Sequence, residues 1–147
     1  MSDAKALPAT VAFRLGTLGA IFGDRLAGRI AAYDLKLKHA GLMTALEAGV
    51  AASQQDLAAR MGVAPSLVVA LADHLVALGA IERRRGPADR RRQVLTLTGH
   101  GRELLRKCAA AAREVDEEIA APLAPAQRAA LHEALGLIAE REGLPTA

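Results

Sequence analysis

The chain has very few aromatic residues and only one cysteine, and both scarcities narrow what it can be. Aromatic residues make up 2% of its 147 residues, and tryptophan is absent. The core must therefore be built from alanine, leucine, valine and isoleucine, which suits packed helices better than an aromatic-rich sheet. The single cysteine, Cys108, excludes an intramolecular disulfide and any cysteine-rich zinc or iron–sulfur site.

Long apolar runs and catalytic motifs are also missing. No run approaches about 18 apolar residues, and no basic region followed by a hydrophobic stretch opens the chain, so we expect a soluble cytoplasmic protein. There is no glycine-rich phosphate loop, nucleophile elbow or catalytic carboxylate pair, which predicts a protein that is not an enzyme and needs no cofactor. No metal site is expected, because the histidines lie in different predicted elements without ligand spacing: His39, His74, His100 and His132.

Positive charge is concentrated in one short segment, Glu82–Arg92, which holds two arginine triplets around a Gly-Pro turn. Its six arginines and two acids give it a net charge of +4, while the whole chain carries +3. Arginine suits phosphate forks and narrow grooves, so this local concentration predicts a phosphate-rich partner such as nucleic acid. A solvated charged loop is the alternative interpretation.

Two short helices precede this segment. Ser53 followed by Asp56 forms an Asp version of the capping box, so a helix should begin there and end before Gly62. Another helix, over about 65–78, begins at a proline and ends at Gly79. Two helices joined by a tight turn are typical of a helix-turn-helix, although an ordinary helical hairpin has the same pattern.

The alternating strand Val94–Thr98 follows the arginines at once, so the segment should form a two-stranded hairpin. A helix-turn-helix with an attached basic hairpin is a winged helix, and this combination favours DNA binding over a generic helical domain. The chain is therefore predicted to be mainly α, with a small β-hairpin wing.

Long amphipathic helices are predicted on both sides of this region. Apolar stripes run along 9–32, about 99–121 and the helix that starts at Pro125, and a further helix covers about 36–48. Because so many stripes cannot all cover a small central domain, we expect residues 1–34 and 99–147 to form a dimerisation region around the winged helix of 35–98. A monomer with an all-polar outer face is the alternative.

From Leu35 to about Leu105 the chain resembles the MarR family of transcriptional regulators. The residues that carry the resemblance are Ser53-Gln-Gln-Asp-Leu-Ala-Ala-Arg-Met-Gly-Val63, Leu71-Ala-Asp-His-Leu75, Gly79, the stretch Arg83-Arg-Arg-Gly-Pro-Ala-Asp-Arg-Arg-Arg-Gln-Val-Leu-Thr-Leu-Thr98, and Gly101. The resemblance implies a homodimer that binds a pseudo-palindromic operator in double-stranded DNA. A repressor released by a small-molecule effector is the form expected here.

The resemblance places the fourth helix in the major groove as the recognition helix. The residues expected on its groove side are Ser66, Leu67, Val69, Ala70, Asp73 and His74. Ala70 and His74 stand where family members often carry arginines, so this face is unusually apolar and poor in bidentate base readers. DNA shape and the wings would then supply specificity; a winged-helix interaction protein without specific DNA readout is the alternative.

Further DNA contacts are expected from the third helix and the wing. Ser53 and Gln54 can offer donors to phosphate, a role compatible with helix capping by Ser53. By resemblance Asp89 pairs with Arg91 and braces the wing, and Arg85 and Arg90 are candidates for minor-groove insertion. The remaining wing arginines are expected to meet phosphates or acids of their own fold: Arg83, Arg84 and Arg92.

Effector and redox roles have weaker sequence signals. An effector pocket would by resemblance lie between the dimerisation helices and the winged domain, with candidates Arg14, Arg25, Tyr33, His39 and Arg113. Cys108 falls on the apolar stripe of the fifth helix, so a small core residue is the favoured interpretation. A redox-responsive regulator that uses Cys108 is the alternative.

Overall fold

The computed structural model describes residues 6–47 and 51–146, and it divides the chain into two compact units, Met1–Arg113 and Glu114–Ala147. The elements, apart from two 3-10 turns at Leu7–Ala9 and Ala31–Tyr33, are α1 (Val11–Ile30), α2 (Leu37–Glu47), α3 (Gln54–Met61), α4 (Pro65–Ala77), β1 (Ile81–Arg85), β2 (Gln93–Leu97), α5 (Gly99–Ala120) and α6 (Pro125–Arg141). The predicted mainly α fold with a two-stranded wing is confirmed.

The helix-turn-helix forms where its local signals predict. The Asp56 backbone N–H donates to Ser53 Oγ at 3.1 Å, and the Ser53 N–H donates to Asp56 Oδ2 at 3.3 Å, which completes the capping box. Gly62 ends α3 with a φ of 65°, in the left-handed region that glycine adopts without strain. Two short helices are thereby joined by a three-residue turn before Pro65 starts α4.

The wing is an antiparallel hairpin in which Ile81 pairs with Leu97 and Arg85 pairs with Gln93. An isolated bridge joins Ala52 to Leu95, so β2 is paired on both of its edges. The Ile81–Leu97 pair is buried in the core, whereas both residues of the Arg85–Gln93 pair are exposed. That geometry separates the base of the wing from its tip.

The junction between the wing and α5 requires a close backbone approach. Thr98 Oγ1 accepts the Gly101 N–H at 3.0 Å and donates to the Gly79 carbonyl at 2.6 Å, so Thr98 is the N-cap of α5. A Cβ on Gly101 would lie 2.1 Å from the Ala80 carbonyl oxygen, so only glycine fits there.

The core of the first unit is aliphatic, as the composition predicts. Its largest fully buried side chains come from α1, α2, α3, α4 and the wing. They are Ile30, Leu42, Met43, Leu57, Val68, Leu75, Ile81 and Leu95. The recognition helix and the wing strands thus share one apolar core, which fixes them relative to each other.

The two end helices differ from this core, because each leaves apolar side chains in solvent. Within α1, Ile30 is the one buried residue, while Val11, Leu15 and Leu18 are exposed. The described part of α6 has no buried residue, and Leu135 and Ile138 are exposed. Among the described residues no single helix is long and apolar enough to cross a membrane, although the bent pair α3 and α4 passes on length and composition alone.

Candidate nucleic-acid interface

The outer face of α4 is small and almost uncharged. Val68, Leu71 and Leu75 point into the core, as predicted, together with Ala72. The exposed side chains along the rest of the helix are Pro65, Ser66, Val69, Ala70, Asp73 and Ala77. Methyl groups such as these suit thymine methyls, whereas a bidentate base contact needs a longer polar side chain.

Two residues predicted for this face lie elsewhere. Leu67 is half-buried and packs against the core. His74 turns toward the end of α1, where its Nε2 lies 2.6 Å from the Asp34 carbonyl oxygen and its ring stacks on His39. The groove-side assignment of Leu67 and His74 is corrected accordingly: helical spacing placed both near the boundary of the buried stripe, and packing against neighbouring elements turned them inward.

The Asp73 carboxylate is exposed but is paired with an arginine. It forms an ion pair with Arg83 of β1, whose guanidinium also lies 3.5 Å from Gln54 Oε1 at the start of α3. Arg83 therefore connects the wing to both helices of the helix-turn-helix. Its side chain is 28% exposed, so this contact is partly shielded from water.

A second arginine anchors the other wing strand. Arg92 donates to Ser53 Oγ at 3.2 Å and to Asp56 Oδ1 at 3.4 Å. The pKa of Asp56 is lowered, first by its hydrogen bonds with Ser53 and then by the charges of Arg92 and Arg60. Because Ser53 is buried and its hydroxyl is engaged by Asp56 and Arg92, its capping role is observed and its hydroxyl is occupied by the chain itself.

The tip of the wing is an ordered turn. The Gly86 N–H donates to the Arg92 carbonyl at 2.7 Å, and the Arg92 N–H donates to the Asp89 carbonyl at 3.1 Å. The Asp89 carboxylate accepts the backbone N–H of Arg91 at 2.9 Å. The predicted pairing of Asp89 with Arg91 therefore runs through the backbone of Arg91, and no ion pair joins their side chains in the part of the chain that the structure describes.

The six wing arginines thus fall into two groups. Arg83, Arg84 and Arg92 pair with acids of their own fold, namely Asp73, Glu82 and Asp56. The other three are exposed and have no acidic partner among residues 6–47 and 51–146: Arg85, Arg90 and Arg91. Three guanidinium groups at one tip can bind phosphate oxygens or enter a minor groove.

Of the effector-pocket candidates, the structure places His39 at a cavity. His39 lines two adjoining clefts of about 390 and 620 Å³ between the start of α2 and α4, the larger one mostly apolar. The other candidates are placed differently: Arg14 donates to the Pro8 carbonyl, Arg25 stands over the Phe22 ring, Tyr33 lies below Lys107, and Arg113 is exposed.

Cys108 is 8% exposed on the buried face of α5, and burial raises the pKa of its thiol. A raised pKa keeps the sulfur protonated, and the thiol is a weak nucleophile compared with the thiolate. The environment is that of a small apolar core residue.

A family model described as the MarR family matches residues 33–92, the segment that carries the helix-turn-helix and the wing. Over this segment the chain is similar to the MarR family, and its fold is a winged helix. The solved structure of RV1404 from Mycobacterium tuberculosis is 28% identical, with a TM-score of 0.80 over 93% of this chain and 95% of that one. These similarities support a DNA-binding transcriptional regulator.

Two structures of CouR are also similar to the chain. CouR from Rhodococcus jostii RHA1 bound to p-coumaroyl-CoA is 24% identical, with a TM-score of 0.70 over 90% of this chain and 94% of that one. CouR described as a transcriptional repressor bound to a 23-mer DNA duplex is 25% identical, with a TM-score of 0.75 over 91% and 95%. Among curated protein sequences, none is a significant match.

Sequence reasoning missed the contacts that tie the DNA-facing elements together. The Asp73–Arg83 pair and the His39–His74 stack join residues of different elements, and no local pattern pairs them. The one available signal was an unusual residue type, since His74 stands where the family often has arginine.

Proposed function

We propose that this protein is a homodimeric repressor that binds a pseudo-palindromic operator and is released by a small-molecule effector. The observation that carries the DNA-binding part is the separation of the wing arginines. Arg83, Arg84 and Arg92 are engaged by the fold, and Arg85, Arg90 and Arg91 remain available at the tip. Charge left unpaired at an ordered turn is what a phosphate backbone can engage.

In this proposal the outer face of α4 enters the major groove and the wing tip reaches the adjacent minor groove. Ser66 can hydrogen-bond to a base edge, and Val69 and Ala70 can contact thymine methyls. With so few polar readers on α4, specificity leans on DNA shape, which the tip arginines read through the width of the minor groove. Gln54 keeps amide donors for phosphate at the start of α3.

The homodimer is supported by the exposed apolar side chains of the end helices. Leu15, Leu18 and Ile21 of α1 are between 43% and 47% exposed, and Leu137 of α6 is 63% exposed. Apolar stripes of this kind mark surfaces that another chain covers. We therefore propose that residues 1–34 and 99–147 contribute the dimerisation region, and that a second copy of this chain is its partner.

An effector and a repressor role are supported by analogy and by a cavity. CouR is described both as a transcriptional repressor bound to DNA and in complex with p-coumaroyl-CoA. In this chain the larger cleft reaches Leu67, Ala70 and Leu71 of α4, so a small molecule seated there would touch the recognition helix directly. Such contact would couple its binding to DNA affinity.

Selection of bound fragments from genomic DNA, followed by a palindrome search, tests this function. Purified full-length protein should enrich a short inverted repeat whose half-sites are about one helical turn apart. Recovery of folded dimer with no sequence preference would contradict the operator. The positions of enriched fragments would also indicate the regulated genes and, through them, the class of effector.

A second candidate, a winged-helix protein that binds partners without specific DNA readout, is favoured by one observation. Asp73 and His74, the longer polar side chains in the C-terminal half of α4, both contact other parts of the fold. The same selection separates the two functions, since this candidate predicts that no fragment is enriched.

A redox-responsive regulator remains the third candidate, with Cys108 as the sensor. The burial of this thiol and its raised pKa favour a structural role. Cys108→Ser should therefore bind operator as the wild type does, with and without peroxide. Loss of peroxide sensitivity in the variant alone would establish the redox switch.

Truncation tests the dimer. Deletion of residues 122–147, which removes α6, should abolish dimerisation and leave a poorly soluble protein, because apolar surface that α6 covers in the dimer would be exposed. Sedimentation velocity measures the change. A soluble, well-folded dimer after the deletion would contradict the proposed dimerisation region.

A further inference from the structure

A stacked histidine pair joins the recognition helix to the start of α2. The rings of His39 and His74 lie 4.4 Å apart between centroids, with 23° between their planes. His74 Nε2 also lies 2.6 Å from the Asp34 carbonyl oxygen and 3.8 Å from Asp34 Oδ2. Asp34 ends the turn after α1 with a φ of 57°, so α4 is held to a backbone corner of defined shape.

His39 is constrained to be neutral in this arrangement. Its Nδ1 accepts the backbone N–H of Lys36 at 2.9 Å, so the ring proton must reside on Nε2. Burial lowers the pKa of His39, the charges of His74 and Lys36 lower it further, and Asp34 opposes them. The side chain is 6% exposed overall, yet it lines the cleft of about 390 Å³, through which water and protons can reach it.

The charged and titratable groups around the pair come from each element packed there. Asp34 of the turn, Lys36 and Lys38 of α2 and His74 of α4 line the clefts with His39. On the neighbouring turn, Lys107 of α5 lies 5.5 Å from the centre of the Tyr33 ring. Lysines outnumber the single carboxylate, so a second positive charge on the stacked rings would be poorly compensated.

We propose that His39 and His74 are positioning residues that hold α4 in its DNA-binding orientation, and that protonation of His39 weakens operator binding. This inference rests on the proposed function. His39 is buried and His74 is turned toward Asp34, so the histidines act through the placement of Ser66, Val69 and Ala70. Acidification would thereby lower the affinity for the operator without any effector.

The direction of the pH effect on operator binding follows from the lowered pKa of His39. Above the ordinary histidine pKa of about 6.5, His39 is neutral whether stacked or free, and the contact contributes fully. As the pH falls below that value, the separated state takes up a proton that the stacked state resists. The His39–His74 contact therefore loses stability as the pH falls and regains it as the pH rises.

Anisotropy titrations at about pH 7.5 and 5.5 test this, with the selected operator and a random duplex of equal length. The operator-to-random affinity ratio of the wild type should fall by about tenfold or more, because one linked proton in each of the two subunits can change the affinity of the dimer by up to about a hundredfold per pH unit. The ratio cancels the general gain in DNA affinity from added positive charge. His39→Asn with His74→Gln keeps an acceptor near Lys36 and a donor near Asp34 but cannot titrate, so its ratio should be constant.

His100→Gln, at an exposed site on α5, is the matched control and should follow the wild type. A wild-type ratio that does not change with pH, or a double variant that still responds, would overturn the proposal. Histidine titration by NMR, without DNA, separates the failures. The pKa of His39 should lie below that of a free histidine. A His39 pKa at or above the free value would overturn the inference about the pair, whereas failure to select any operator would overturn the proposed function.

Discussion

The wing contains two groups of arginines, which differ in whether they contact an acidic side chain. Arg83 within β1 and Arg92 just before β2 reach back to Asp73 and Asp56 and hold the wing against α4 and α3, and with Arg84, which pairs with Glu82, they are called the base arginines here. At the tip, Arg85 and Arg90 are exposed and have no acidic partner among the described residues. The difference shows that, in an arginine cluster, the residues that pair with acids should be identified before any residue is assigned to a phosphate contact.

The paired arginines at the base orient the wing, and the unpaired arginines at the tip supply positive charge for DNA phosphates. A guanidinium already paired with a carboxylate would have to break that contact to neutralise a phosphate, which offsets most of the gain. An unpaired one releases counterions from DNA at no such cost. The salt dependence of binding therefore distinguishes the two ends, and variants at each end can confirm or break the distinction.

The largest effect is expected at the tip. Arg90→Ala should weaken operator binding and reduce the log–log salt slope by up to about 2 for the dimer, since each neutralised phosphate contributes roughly 0.9. Stability should be nearly unchanged, because Arg90 has no acidic partner among the described residues. Titrations at several salt concentrations measure the slope, and Arg106→Ala on α5 removes the same charge outside the wing as a control.

If the Arg106 variant lost as much slope as the Arg90 variant, the effect would reflect net charge alone. The tip would then have no special role, and the distinction between base and tip would fail.

An intermediate effect is expected at Asp89, whose carboxylate accepts the Arg91 N–H. Asp89→Ala should lose operator affinity several-fold and keep or gain affinity for random duplex, because a loose wing must be ordered on binding while the removed negative charge favours any DNA. Titration of both duplexes measures this.

Asp89→Asn is the matched variant, since it keeps an acceptor oxygen and removes the charge. It should retain operator binding better than the alanine variant. Tighter binding of both DNAs by Asp89→Ala would show that Asp89 does not brace the wing, and the placement of Arg85 and Arg90 at the minor groove would need revision.

The smallest effect on DNA binding is expected at the base. Arg83→Ala should lower the free energy of unfolding by about 1 kcal/mol, the scale of a partly exposed ion pair, and leave the salt slope unchanged. Arg84→Ala removes a more exposed pair with Glu82 and should cost less than about 0.5 kcal/mol. Urea unfolding and salt titrations measure both, and a slope that falls in the Arg83 variant would place this guanidinium on DNA.

Much of the fold follows from short-range signals. The capping box of Ser53 and Asp56 and the left-handed Gly62 each act within three or four residues, so they could be predicted and were found. The site was predicted less completely. Leu67 and His74 were assigned to the groove side because helical period alone cannot tell a boundary position that neighbouring elements will cover.

The sequence by itself determined that positive charge is concentrated in one hairpin beside a helix-turn-helix, because charge and helix signals are properties of adjacent residues. Only the tertiary structure decided which arginines are available. Arg92 meets Asp56 from 36 positions away and His74 meets Asp34 from 40, so these contacts exist only once the core has brought the elements together. Folding thus pairs the base arginines with acids and leaves those at the tip for a partner, because the Asp89 carboxylate at the tip accepts a backbone N–H and forms no ion pair with an arginine among the described residues.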